Sequence, residues 1–265
     1  MGWALLAATI AGAATIIGGL AALHPGMRRR GTLAVGLAFA AGVMIVLSTV
    51  EILPLTLSTL QDSGVRAAGW WTVGALALGG GFVFLIDAVL PHSINPADTA
   101  GTEDHQVPAD LIANQRLLRS GLLVALIVGL HNLPEGLMTF LATLESAPLG
   151  ATVVLAVAVH NIPEGLAVAA PIYAATGSRR TALRWAAISG LAEPVGALVG
   201  YFVLRAILPP ELLVVTLALV AGMMLALSLR ELLPAARRYQ THPLQALLGL
   251  LAGGIVIWVS LLLAR

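Results

Sequence analysis

The chain has 265 residues, 58% of them hydrophobic and 10% charged, with a formal net charge of +1. So few charged groups leave no polar surface for a water-soluble fold of this size, whereas a bilayer asks for none, which excludes a soluble globular protein. There is no Cys, which rules out a disulfide framework and thiolate metal ligands. The net charge by itself says nothing about partners, and no nucleic-acid partner is expected.

Eight runs of about 20 apolar residues or more, the length needed to cross a bilayer as a helix, fall at 4–23, 33–58, 68–90, 116–141, 148–172, 182–206, 211–232 and 243–264. The first has no basic segment before it and reads as a retained helix rather than a signal peptide. Arg28, Arg29 and Arg30 follow it as a topology anchor. The second run carries Met44, Ser48 and Glu51 on one face. The third opens on the aromatic belt pair Trp70 and Trp71 and closes near Asp87, with His92 just past Pro91. A polar stretch, 91–115, separates it from the fourth run, and the weakest separator is Glu145-Ser146-Ala147-Pro148 between the fourth and fifth. No run alternates as a barrel strand does. The expected fold is an all-α polytopic membrane protein: helices one to three in 1–90, a cytoplasmic loop in 91–115, a helix pair in 116–172 and helices six to eight in 173–265.

The positive charges are distributed unevenly. Threading the runs alternately across the membrane puts Arg28, Arg29, Arg30, Arg116, Arg119, Arg179, Arg180, Arg184, Arg237 and Arg238 on one side, against Arg66, Arg205 and Arg265 on the other. The positive-inside rule then predicts an integral protein of the cell membrane with both termini facing outward.

Two internal repeats organise the helices. Residues 42–54, GVMIVLSTVEILP, echo 222–234, GMMLALSLRELLP, at an offset of 180. Helix two runs outward and helix seven inward, so the repeat is inverted. The second repeat is the phrase His131-Asn132-Leu133-Pro134-Glu135-Gly136, which returns as His160-Asn161-Ile162-Pro163-Glu164-Gly165 in the neighbouring helix. Together they predict a 3+2+3 arrangement with inverted repeats, the construction of many secondary transporters.

A carboxylate at the centre of a spanning helix costs roughly 2.5–3.5 kcal/mol, so Glu135, Glu164 and Glu193 together cost about 8–10 kcal/mol without a partner. Positive charge is expected among them. At about 100° per residue, His131, Asn132 and Glu135 project into one arc of about 100°, and His160, Asn161 and Glu164 repeat it. Pro134 and Pro163 are expected to kink each helix beside these groups, and Gly136 and Gly165 to let helices approach closely. Imidazoles, carboxylates and amide oxygens form a donor set for a divalent transition metal, Zn2+ first and Fe2+, Mn2+, Co2+ or Cd2+ after it, whereas Cu(I) is disfavoured. The carboxylates outnumber the needs of one ion. Glu135 and Glu164 are expected to bridge two positions, one rich in His and the other in Asn and carboxylate with Glu193 added.

The paired phrase, together with Gly190-Leu191-Ala192-Glu193-Pro194-Val195-Gly196 in helix six, resembles the ZIP (Zrt-, Irt-like protein) metal transporters and within them the GufA-like branch. The resemblance implies uptake of zinc, and often of other divalent metals, into the cytoplasm through a binuclear midplane site, the metal being cargo and no cofactor being needed. It gives the first ion His131, Glu135, His160 and Glu164, and the second Asn132, Glu135, Asn161, Glu164 and Glu193. It also implies alternating access by a slide of helices one, four, five and six against the rest, often within a homodimer. The 91–115 loop departs from better-known relatives in lacking a His-rich stretch, offering His92 and His105 with Asp98, Glu103, Asp104 and Asp110. Along the path, Glu51 is expected to line the entrance and Glu231 the exit, against simple interfacial anchoring, and Asp87 and His92 to receive the released ion, against ordinary interfacial solvation. Met44 is a pathway candidate that reads first as packing, as does Met224. Two other functions compete: a metal-selective channel, and an intramembrane metallohydrolase, which lacks here both a His-Glu-x-x-His phrase and any use for inverted repeats.

Overall fold

The computed structural model describes residues 1–89, 109–145, 147–204 and 210–263. The described residues are helical with no strand, and they include eight helices long and apolar enough to cross a membrane. In chain order these are α1 Gly2–Ala22, α2 Arg30–Asp62, α3 Ala68–Val89, α4 Ala109–Glu145, α5 Ala147–Thr176, α6 Arg179–Val199, α7 beginning with Pro210–Leu227, and α8 Gln245–Leu263. Helix α7 passes through a π-helical turn, Ser228–Leu232, into Leu233–Tyr239. The largest departures from the sequence boundaries are at the end of α7, which continues to Tyr239, and at α4, which starts at Ala109, inside the stretch expected as loop. Asp110, Asn114 and Gln115 end the apolar run without ending the helix, because polarity and helicity are separate properties. His92 and the acidic residues of 98–104 lie outside the described residues.

Local chemistry sets the helix ends. His24 accepts at Nδ1 from the Gly26 N–H at 3.2 Å as Pro25 opens a short 3-10 turn after α1. Gly64 and Gly177 adopt φ of 72° and 67° just past α2 and α5, a left-handed backbone that costs glycine nothing. Ser178 Oγ then caps α6 by accepting from the Thr181 N–H at 3.2 Å.

Along α1, small residues face inward and large ones outward. Helix α1 buries Ala4, Ala8, Ala11, Gly12, Thr15 and Gly18, while Trp3, Leu6, Ile10 and Ile17 are exposed. That inversion suits a lipid surround, where close backbone packing rather than water exclusion holds helices together. The helices sort into two groups by packing: α1, α4, α5 and α6 pack mainly on one another, as do α2 with α8 and α3 with α7.

The inverted repeat is visible in detail. Both α2 and α7 contain a π turn, closed by the Leu53 N–H donating to the Ser48 carbonyl and the Leu233 N–H donating to the Ser228 carbonyl, again 180 residues apart. Pro54 and Pro234 follow directly; each lacks an N–H and crowds the carbonyl four residues back, which widens the preceding turn. A Cβ added at Gly42 would collide with the Leu250 carbonyl of α8, and one at Gly222 with the Leu76 carbonyl of α3. Gly253 stands likewise against Phe39, and Gly79 against Leu219. The symmetry therefore extends to α3 and α8, a relation too weak in sequence to notice without the contacts.

Candidate metal centre

The seven residues His131, Asn132, Glu135, His160, Asn161, Glu164 and Glu193 are all buried, none more than 7% exposed. Helices α4 and α5 run continuously through Pro134 and Pro163 and lie antiparallel, so their identical phrases meet as two crossed pairs. His131 Nε2 lies 3.0 Å from Glu164 Oε1, and His160 Nε2 lies 3.4 Å from Glu135 Oε1. Each imidazole thus faces the carboxylate of the other helix. The ligand atoms of His131, Glu135 and Glu164 fall within 4.8 Å of one another, a spread that one metal ion can span.

The asparagines are held by a second symmetric pair of bonds. Asn132 Nδ2 donates to the Ser189 carbonyl of α6 at 2.9 Å, and Asn161 Nδ2 donates to the Ala11 carbonyl of α1 at 3.0 Å. Asn161 also donates to Glu193 Oε1 at 3.2 Å. Ser189 is itself fixed by its hydroxyl, which donates to the Ala125 carbonyl at 2.9 Å. The Oδ1 atoms of both asparagines have no hydrogen-bond partner, and neither have Oε2 of Glu135, Glu164 and Glu193. Burying one such acceptor without a bond costs about 1–3 kcal/mol. A cluster of unspent oxygen acceptors beside imidazoles is the kind of donor set a divalent cation takes.

Close helix approach brings the groups together. A Cβ at Gly136 would collide with the Glu193 carbonyl, and a Cβ at Gly165 with the Thr15 carbonyl. These glycines therefore admit α6 and α1 to backbone contact directly beside the glutamates.

A cavity of about 300 Å3 reaches the centre. Glu135 and His160 form its floor, and Glu51, Met138, Val157 and Ile257 are among its walls. Met138 and Ala142 follow Glu135 toward the α4–α5 turn, while Val153 and Val157 lead back from that turn, so the cavity lies toward the arginine-poor end. On the other side Leu123, Val124, Ile127, Val128, Val168 and Ile172 are fully buried in one continuous apolar core.

The remaining pathway residues divide. Glu51 lines the cavity. Met44, like Met224, is fully buried in the apolar core. Asp87 sits at the arginine-rich end between two guanidiniums: Arg119 of α4 reaches its Oδ1 at 2.6 Å and its backbone carbonyl at 2.7 Å, and Arg230 of α7 reaches Oδ2 at 2.6 Å. Glu231 accepts from Ser120 Oγ at 2.8 Å beside a second cavity of about 270 Å3 lined by Arg116, Arg119, Arg230 and Arg238. In the sequence Arg119 reads only as a topology residue, and Ser120 and Ser189 do not stand out. A charge inside an apolar run, and a hydroxyl one turn before Glu193, were the available signals.

Eight spanning helices around buried imidazoles and carboxylates define a polytopic membrane protein with an intramembrane metal-ligand cluster. The chain belongs to the ZIP zinc transporter family, whose model matches residues 5–261. The zinc transporter ZupT of Akkermansia muciniphila is 44% identical over 261 residues, covering 97% of this chain and 96% of that protein. Those of Clostridium perfringens and Corynebacterium efficiens are 41% and 45% identical, over 98% and 96% of this chain and 95% and 94% of theirs.

Proposed function

We propose that the protein carries Zn2+ into the cytoplasm by alternating access through a two-ion centre. The crossed His131–Glu164 and His160–Glu135 pairs carry this reading: they offer nitrogen and oxygen donors of the kind zinc takes, in a dry interior, with acceptors left unspent. The relatives' names, each a zinc transporter, support the choice of cargo. The same donor types accept Fe2+, Mn2+, Co2+ and Cd2+, and the homodimer rests on the family resemblance alone.

Arginines mark the cytoplasmic end by the positive-inside rule. The cavity at Glu135 and His160 then faces outward, and the core around Ile127 and Val168 seals the inside. Zn2+ enters past Glu51 and takes His131, Glu135, His160 and Glu164, while a second ion takes Asn132, Asn161 and Glu193 with the two shared glutamates. Any proton on the imidazoles is released as the metal binds. Helices α1, α4, α5 and α6, which pack on one another and carry all seven ligands, slide against α2, α3, α7 and α8. Arg119 and Ser120 of the moving group hold Asp87 and Glu231 of the fixed group, closing the inner side until the slide parts them. A channel would need a path through that apolar seal.

The test is zinc influx into proteoliposomes loaded with a metal-sensitive dye, wild type beside Glu164→Ala. Saturable influx that collapses in the variant is expected. Influx that persists in Glu164→Ala, or rises linearly with zinc, would refute the carrier.

A further inference from the structure

The pseudo-twofold axis relates α1 to α6 as well. Ala11 and Ser189 offer equivalent carbonyls to Asn161 and Asn132. Gly12 and Gly190 face each other's carbonyls. Gly18 meets Ile162 of α5 as Gly196 meets Leu133 of α4, and Gly165 meets Thr15 as Gly136 meets Glu193. Each correspondence has the same offset of 178 along α1 and α6 and 29 between α4 and α5. They agree on one equivalence: the residue in α1 that occupies the place of Glu193 is Thr15.

Thr15, like Ser48 and Thr139, departs from the usual pattern for a helical hydroxyl. Hydroxyls in these helices ordinarily donate back to the carbonyl four residues earlier, as Thr9, Thr49, Thr56, Thr72, Thr143 and Thr176 do. The carbonyl that Thr15 would use is that of Ala11, which already accepts from Asn161. Thr15 is fully buried, and its Oγ1 has no hydrogen-bond partner. An idle buried hydroxyl at the symmetry position of a ligand needs an occupant as much as the ligands do.

We propose that Thr15 is a metal-centre residue, a neutral oxygen that serves the second ion from the Asn132 side, directly or through one water, as Glu193 serves it from the Asn161 side. The inference rests on the two-ion reading above. The substitution of hydroxyl for carboxylate has an electrostatic use. Glu135, Glu164 and Glu193 supply three negative charges against the four positive charges of two divalent ions. A fourth carboxylate would neutralise both ions and hold them; three leave one ion loosely held and ready to depart. Thr15 is thus a residue that sets how readily the centre lets go.

The experiment compares Thr15→Val, which keeps the shape and removes the oxygen, with Thr15→Ser, which keeps the oxygen. Zinc alone is titrated calorimetrically into purified full-length protein, and melting is followed without metal. Thr15→Val is expected to lose about tenfold in affinity at one of two zinc positions, the lower end for removing a supporting group at a metal site. It should melt no lower than wild type, because it buries no idle hydroxyl, and Thr15→Ser should bind as wild type does. Wild-type zinc binding by Thr15→Val, with melting unchanged or raised, would reduce Thr15 to packing. Glu164→Ala is run in parallel: if it loses zinc while Thr15→Val does not, only the Thr15 inference falls, and if it also binds normally, the metal-centre reading falls with it.

Discussion

Replacing Gly165 by Ala tests whether backbone contact between α5 and α1 sets the geometry of the centre. The added Cβ would collide with the Thr15 carbonyl, lie 2.7 Å from the Thr15 carbonyl carbon and 2.9 Å from the Gly19 nitrogen. All three are backbone atoms, so no rotamer change relieves the clash. Carbon atoms prefer about 3.5–4.0 Å, so α1 must retreat by about 1 Å. The Asn161–Ala11 bond, 3.0 Å long, stretches by a similar amount and is lost, at about 1 kcal/mol. Overpacking adds about 1–3 kcal/mol, and the higher helix propensity of Ala returns at most about 1 kcal/mol. The net expectation is a loss of about 1–3 kcal/mol, with transport falling further because Asn161 is freed to turn. The assay is melting in detergent and zinc influx in proteoliposomes, with Gly74→Ala as control, since a Cβ there meets nothing within 4 Å. Wild-type melting and influx in Gly165→Ala would show that the seam yields and that its closeness does not position the centre.

Further outcomes follow from the same geometry. Glu51→Gln should slow influx at low zinc more than at saturating zinc, since Glu51 lines the cavity leading to Glu135 and His160 rather than the centre itself; an unchanged concentration dependence would remove it from the path. Asp87→Asn should speed alkylation of an Ile127→Cys reporter by about fivefold, the factor for about 1 kcal/mol, by releasing Arg119 of the sliding group. Arg230→Gln should leave that rate alone, because Arg230 and Asp87 belong to the same group of helices; equal effects from both would refute the latch. Influx should fall as the outside pH drops, because His131 and His160 bind metal only when deprotonated; influx independent of outside pH would count against imidazole ligation.

The paired phrase was legible because each candidate ligand is a polar residue in an apolar run, where the cost of burial makes any exception informative. Glu135 and His160 met as the helix arcs required. What the sequence hid was carried by ordinary residues. Thr15, Ala11 and Gly12 are unremarkable letters in α1, and only contact with α5 and α6 shows their part. Asp87 looked like a landing place for an ion because its partners, Arg119 and Arg230, lie 32 and 143 residues away. Helix α4 begins before its apolar run because hydropathy marks where a helix enters lipid, not where it begins.

The two π turns also bear on how the molecule came about. An irregular turn at the same place in α2 and α7, each closed by a Ser carbonyl and followed by Pro, is more simply inherited once than acquired twice, so the turn predates the doubling of the chain. The Pro that follows each turn keeps the ladder from closing regularly there, so the same local bend is set into both halves of the inverted repeat.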